Sequence, residues 1–339
     1  MRNLIFLAAI TIWVLFSSCS KDEDTTPLGG KSSAVKDVYV VGDEGNVAKY
    51  WKNGTAIVLP GALGTVAYAI AVSANDVYAA GEGTEGRYVA KYWKNGVAFN
   101  LTDGTEPAVA FSIAASGDDV YVAGLEYNGR VDVVKYWKNG KAVSLTDGTN
   151  RADAFSMVVS GSDVYVAGYE VIGSTSFAKY WKNGTAVTLT DGSKSARAYG
   201  IAVSGNDVYV AGYEGDVAKY WKNGVSVNLK NGTRGYANVI VISDNDVYVA
   251  GNVSNGLVNV ATYWKNGTDF SLSAKSGARG YWASANAIAI AGDDVYVAGV
   301  ALSELNGKFS VAKLWKNGTA VSLGDESKNS RAFGIVLTF

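Results

Sequence analysis

The residues of this chain best suited to chemistry come in sevens. Trp51, Trp93, Trp137, Trp181, Trp221, Trp264 and Trp315 sit in copies of Lys-Tyr-Trp-Lys-Asn-Gly. Asp37, Asp76, Asp119, Asp163, Asp207, Asp246 and Asp294 open copies of Asp-Val-Tyr-Val-Ala-Gly. Indole faces stack on sugar rings, and carboxylates hold cations or work in pairs as general acid and base. The rest of the inventory narrows that range. The 339 residues include no His, which removes imidazole acid/base catalysis and every metal site that needs imidazole. Cys19 is the sole Cys, so an intrachain disulfide is impossible. Thirty basic against 31 acidic residues leave a charge of -1, which gives no electrostatic case for nucleic acid or an acidic membrane surface. No pair of carboxylates stands out as catalytic, and no metal or cofactor is indicated.

The elements that must position these residues follow from the repeat. The Asp-to-Asp spacings are 39, 43, 44, 44, 39 and 48 residues. Each unit breaks into four short β-like runs, here A to D. In the fourth unit run A is Ala154 to Val159, B is Asp163 to Gly168, C is Phe177 to Lys182 and D is Thr185 to Thr190. Asn183-Gly184 between C and D is a strong type I′ hairpin signal. Four antiparallel strands in about 44 residues, repeated, are the signature of a β-propeller. Run A alternates small Ala198, Gly200 and Ala202 with larger Tyr199, Ile201 and Val203. A small-residue face suits the crowded axis of a propeller and makes run A innermost. Asp37 opens the first unit without a preceding run A, and Arg331 to Leu337 is an orphan run A at the far end. The expected fold is therefore all-β. It is a seven-bladed propeller of four-stranded antiparallel blades, its ring closed by the C-terminal strand pairing into the first blade. An open solenoid would not explain a unit split between the termini.

On this frame the repeated Trp and Tyr are expected to fill gaps between blades. The seven Asp are expected to bond the tight A–B turn, and Lys52 and its equivalents to be solvated. Glu44, Glu126, Glu170 and Glu214 are expected to pair at the rim with Arg151, Arg197 and Arg331. The connections separate two faces. The A–B and C–D turns hardly vary, whereas the spacing from the Gly ending run B to the start of Lys-Tyr-Trp runs 7, 10, 11, 11, 7, 11 and 14. Binding residues concentrate on variable loops held by a rigid frame. The least symmetric links carry Arg234-Gly235-Tyr236 and Arg279-Gly280-Tyr281-Trp282. Arg234, Tyr236, Arg279, Tyr281 and Trp282 are the candidate ligand-binding residues, with Leu302, Glu304 and Leu305 of the longest B–C loop expected nearby.

The first residues read as a targeting segment. Arg2 precedes an apolar run from Leu4 to Phe16, followed by Ser17-Ser18-Cys19. Phe16-Ser17-Ser18-Cys19 resembles the lipobox of a bacterial lipoprotein signal, with Phe in place of the commoner Leu. The resemblance implies residues 1–18 as signal peptide, acylation of Cys19, and residues 19–34 as a lipidated tether before a propeller over 35–339. Ser20-Lys21-Asp22-Glu23-Asp24 resembles the acidic tag that exports Bacteroidota lipoproteins to the outer face of the outer membrane. The repeat resembles those of bacterial seven-bladed propeller lipoproteins and, more distantly, kelch-type units. It lacks the Gly-Gly of kelch, the Gly-His and Trp-Asp of WD40 units and the Ser-x-Asp-x-Gly-x-Thr-Trp box of sialidases. The favoured expectation is a monomeric, non-catalytic surface module that binds a protein or polymer on its variable face. A multivalent lectin and a glycan-active hydrolase or lyase are the alternatives.

Overall fold

A computed structural model describes residues 34–61, 63–85, 87–229, 234–254, 256, 258–272, 282–303 and 307–339. Cys19, Arg279, Tyr281, Glu304 and Leu305 lie outside these residues.

The short Val- and Tyr-rich runs form strands because β-branched and aromatic side chains suit a pleated surface packed on both faces. Asn183 and Gly184 adopt φ of 49° and 86°, the left-handed pair that a type I′ turn requires, and all seven Asn-Gly turns repeat this. Seven four-stranded antiparallel sheets result. Their inner strands are Val66–Ser73, Ala108–Ser116, Ala152–Ser160, Ala196–Ser204, Arg234–Ser243, Ala283–Ala291 and Ser330–Thr338. Each inner strand contacts the next around a closed circle. Ser330–Thr338 pairs with Asp37–Glu44, so the two chain ends complete blade 1 as the split repeat predicts.

The repeated aromatics are frame. The seven Trp are 0–2% exposed. Each of Trp93, Trp137, Trp181, Trp221 and Trp264 shares a buried cluster with the motif Tyr of the preceding blade: Tyr39, Tyr78, Tyr121, Tyr165 and Tyr209 in turn. The outer strands are shorter than expected. Thr185–Thr188 is mostly exposed, and Leu189 follows it inward with its N–H on the Ala178 carbonyl at 2.9 Å.

One feature of the inner strands breaks simple alternation. In every blade the A–B ladder shifts register at the same place. The extra residue is Phe333, Tyr68, Phe111, Phe155, Tyr199, Asn238 or Asn286. This β-bulge puts Ala198 and Ile201 on the same side of the sheet, in one cluster, so the small and large faces expected of this strand are not continuous. The crowding itself is present one residue after the bulge. A Cβ on Gly200 would stand 2.8 Å from Val239 Cα in the next blade. The bulge also explains the Gly that ends Asp-Val-Tyr-Val-Ala-Gly. A Cβ on Gly42, Gly81, Gly124, Gly168, Gly212, Gly251 or Gly299 would lie 1.8–2.1 Å from a carbonyl oxygen of the inner strand. Only glycine lets the backbones approach so closely.

Candidate functional site

The two faces of the disc differ in chemistry as well as in loop length. On the uniform face each motif Asp serves the C–D turn. In blade 4 Asn183 Nδ2 donates to Asp163 Oδ1 at 2.7 Å, Lys182 Nζ lies 2.8 Å from Asp163 Oδ2, and Val164 N–H donates to Asn183 Oδ1 at 2.9 Å. Lys182 also sits 5.1 Å above the Tyr165 ring. The bond from Lys182, then that from Asn183, hold the Asp163 carboxyl below its usual range. The Asn and Lys contacts recur in all seven blades. The expectation that these Asp bond the A–B turn is thus corrected: the long Asn and Lys side chains reach back from the C–D turn and take both oxygens. The Lys are paired rather than merely solvated. Both oxygens of each carboxylate are engaged, one of them by an ammonium group that would repel a metal ion, and among the described residues no group of three or more acidic, His or Cys side chains could hold a metal.

The rim pairing on the variable face also differs from expectation. Glu44, Glu126, Glu170 and Glu214 pair with the strand-C lysines Lys49, Lys135, Lys179 and Lys219 at 2.5–2.6 Å. The arginines lie elsewhere: Arg331 pairs with Asp43, Arg151 with Asp153 and with Asp132 of the preceding blade, while Arg197 lies over the Tyr169 ring.

The axis is where the copies disagree most. The bulged residues form one layer. Rings of Phe333, Tyr68, Phe111, Phe155 and Tyr199 follow one another with centroids 5.3, 5.3, 5.9 and 5.0 Å apart. Asn238 and Asn286 close the circle, their Nδ2 groups donating to the Ala285 and Ala332 carbonyls at 2.9 and 2.8 Å. Two residues earlier on each inner strand, on the variable-face side, stand Arg331, Val66, Val109, Asp153, Arg197, Tyr236 and Ser284. Facing them on the neighbouring strands are Asp43, Glu82, Leu125, Tyr169, Tyr213, Asn252 and Val300.

This second layer is chemically uneven. Arg331 Nε donates to Asp43 Oδ1 at 2.9 Å, and burial pushes the Asp43 carboxyl up against that pairing. Tyr68 donates to Glu82 Oε1 at 2.7 Å. Glu82 is 5% exposed, and burial raises its carboxyl to about 7, outweighing the Tyr68 bond and the Arg331 charge. Val66, Val109 and Leu125 make an apolar sector beside it. Across the axis Tyr169 donates to Asp153, which Arg151 also approaches at 3.3 Å. The Arg197 guanidinium lies 4.4 Å over the Tyr169 ring. Tyr213 contacts Tyr199 at 5.7 Å and meets Tyr236 edge-on at 5.0 Å.

The candidate residues read from sequence are divided by this geometry. Tyr236 belongs to the axial aromatic group. Arg234 lies outward of it, its Nε 2.6 Å from Asp216 Oδ1, with both side chains more than half exposed. Arg234-Gly235-Tyr236 opens an inner strand rather than forming a link, and its register aligns Arg234 with Trp282, not with Arg279. Trp282 is 37% exposed at the rim, bridging Asn259 of blade 6, with its carbonyl accepting from Leu302 N–H at 3.1 Å. Arg197, Tyr169 and Tyr213, which complete the axial group, are not among the candidates read from the sequence. The signal for Arg197 is that one register position of run A holds Arg, Val, Val, Asp, Arg, Tyr and Ser in seven otherwise similar copies.

No family model matches the sequence, and no curated protein matches it. Similar solved structures include the following two. The chain superposes on the Pyrococcus horikoshii acylaminoacyl peptidase with a TM-score of 0.50 and 11% identity, over 85% of this chain and 53% of that one. It spans about half the length of that peptidase. A second likeness, to the β-propeller domain of the Trilobed protease from Pyrococcus furiosus, has a TM-score of 0.48 and 10% identity over 85% of this chain and 98% of that domain. At such identities the likeness concerns the fold alone. The class of protein defined by fold and site is a closed seven-bladed β-propeller with one repeated face and one individual face.

Proposed function

We propose that this chain is a lipid-anchored binding module of the cell surface that recognises a protein or polymer through its variable face, without catalysis. The observation that carries this reading is where the chain enters the ring. Lys36 N–H bonds the Thr338 carbonyl, and Asp37 lies beside the Asn53 turn on the uniform face. An acylated Cys19 would thus attach on the side opposite the variable connections. The uniform face would rest toward the membrane and the variable face would point away from it. Multiple acyl chains on one residue suffice for stable anchoring without a spanning helix.

The lectin alternative, in its form with seven equivalent tryptophan sites, is weakened because those indoles are buried against neighbouring blades. The hydrolase alternative would use Asp43 and Glu82, the carboxyls raised by burial near the axis. Both are almost fully buried and engaged by Arg331 and Tyr68, which fits a structural role better than attack on an incoming bond.

The test is acyl labelling of the full chain and of Cys19→Ala in a lipoprotein-processing host, with surface accessibility scored by protease shaving of intact cells. Label on the wild type and none on the variant, with shaving of the former, is expected. Unlabelled wild-type protein released to the medium overturns the anchor.

A further inference from the structure

Of the four arginines at or beside the starts of inner strands, three are committed to carboxylates. Arg331 pairs with Asp43, Arg151 with Asp153 and Asp132, and Arg234 with Asp216. Arg197 differs. Among the described residues no carboxylate pairs with it. It lies against the Tyr169 ring, and its Nε is buried without a hydrogen-bond partner. One blade on, in the bulge layer beneath, Asn238 is 0% exposed and its Oδ1 is also without a partner. Buried polar atoms left unpaired are uncommon. Arg197 as a whole is only half-buried, so its remaining guanidinium N–H groups, rather than the buried Nε or Asn238, are what a ligand on this face would meet.

The geometry points to a subsite for one carboxylated sugar unit, such as a hexuronate, at the axis of the variable face. Arg197 takes the carboxylate. A guanidinium fork suits a planar carboxylate, and the tyrosine beneath fixes its plane. Tyr213 and Tyr236 are partly exposed beside it and offer ring faces and hydroxyls to the pyranose. Asn252 adds a neutral polar group at the same level, whereas the Ser284 hydroxyl is already engaged, donating to Asn286 Oδ1 at 2.9 Å. One cation with no carboxylate partner, held by Tyr199 and the Tyr169 ring among neutral hydrogen-bonding groups, matches a polyhydroxylated ring bearing one charge. An acidic peptide could offer Arg197 a carboxylate but lacks the hydroxylated ring that Tyr213 and Tyr236 would face.

This inference rests on the variable face being the binding face, and its test separates the two. All seven sheets lie within residues 37–338, so the chain from residue 34 holds the whole closed ring. Titration calorimetry of that chain compares an oligoglucuronate with a neutral oligoglucose of equal length and with an acidic peptide. The oligoglucuronate is expected to bind at least tenfold more tightly than either. Arg197→Gln is expected to abolish that preference and Arg197→Lys to restore part of it. If Arg197→Gln does not fold, Tyr236→Ala replaces it, and the wild-type preference for charged sugar stands as an independent readout. Equal binding of both sugars, binding of neither, tighter binding of the peptide, or an unchanged Arg197→Gln overturns the subsite. Loss of binding to any captured ligand in Arg234→Ala or Trp282→Ala would leave the variable-face reading intact. A ligand mapped to the Asn-Gly turns would remove that reading as well.

Discussion

Glu82→Gln should make the protein more stable at alkaline pH and change nothing in acid. Glu82 is almost fully buried, and its carboxyl is raised from 4.5 to about 7 in the folded state. Between those values the folded chain holds a proton that the unfolded chain has released. Stability from this group is therefore fully present below about pH 4.5 and is lost as pH rises through about 7. A shift of that size corresponds to about 3 kcal/mol, as an order of magnitude. Gln keeps an acceptor for the Tyr68 hydroxyl, which bonds Glu82 Oε1 at 2.7 Å, and cannot ionise. The variant should gain up to about 3 kcal/mol at pH 8.5 and match the wild type near pH 4, which for a chain of this length is roughly 5 °C in melting temperature. Differential scanning calorimetry from pH 4 to 9 measures the difference curve, in which the other carboxylates cancel. A flat curve, or one that favours the wild type more as pH rises, would refute the assignment of Glu82 as a carboxyl neutralised by burial.

Two glycine substitutions should differ sharply. Gly168→Ala sets a Cβ 1.9 Å from the Asp153 carbonyl oxygen and should cost several kcal/mol or prevent soluble expression. Gly184→Ala meets nothing within 4 Å and suffers only its φ of 86°, so a cost of about 1 kcal/mol is expected by thermal melting. Trp181→Ala should lose about 3–5 kcal/mol, because the indole is buried against blade 3. Trp282→Ala, at the exposed rim, should lose about 1 kcal/mol or less, and denaturant titration of the pair distinguishes frame from surface. In vesicles carrying the acylated chain, a fluorophore at the Asn53 turn should transfer energy to a membrane dye more efficiently than one at Gly129 in the B–C connection of blade 3; the reverse order would invert the proposed orientation.

The architecture was legible because seven copies of one unit state their strands, turns and closure repeatedly. Asn183-Gly184 dictated its own turn, and the orphan strand from Arg331 dictated the closing of the ring. The bulge was not legible from alternation, since one inserted residue exchanges the two faces of a strand at Tyr199 without changing composition. The motif Gly opposite it was the available signal, for a side chain there would collide with the inner strand. Asp163 was read onto the nearer turn because sequence separation favours local bonds, yet antiparallel pairing brings Asn183 and Lys182 beside it. Of the proposed site, Tyr236 and the choice of face are expectations drawn from loop variation. Arg197 was read as a rim partner for glutamate because its charge was visible and its proximity to Tyr169 was not.

The most direct test of the division between frame and site is hydrogen exchange on the chain from residue 34, with and without oligoglucuronate. Protection is expected at the variable-face ends of the inner strands, above all around Arg197 and from Arg234 to Tyr236, with the seven Asn-Gly turns unchanged. Protection confined to those turns, or no protection at the axis, would contradict it.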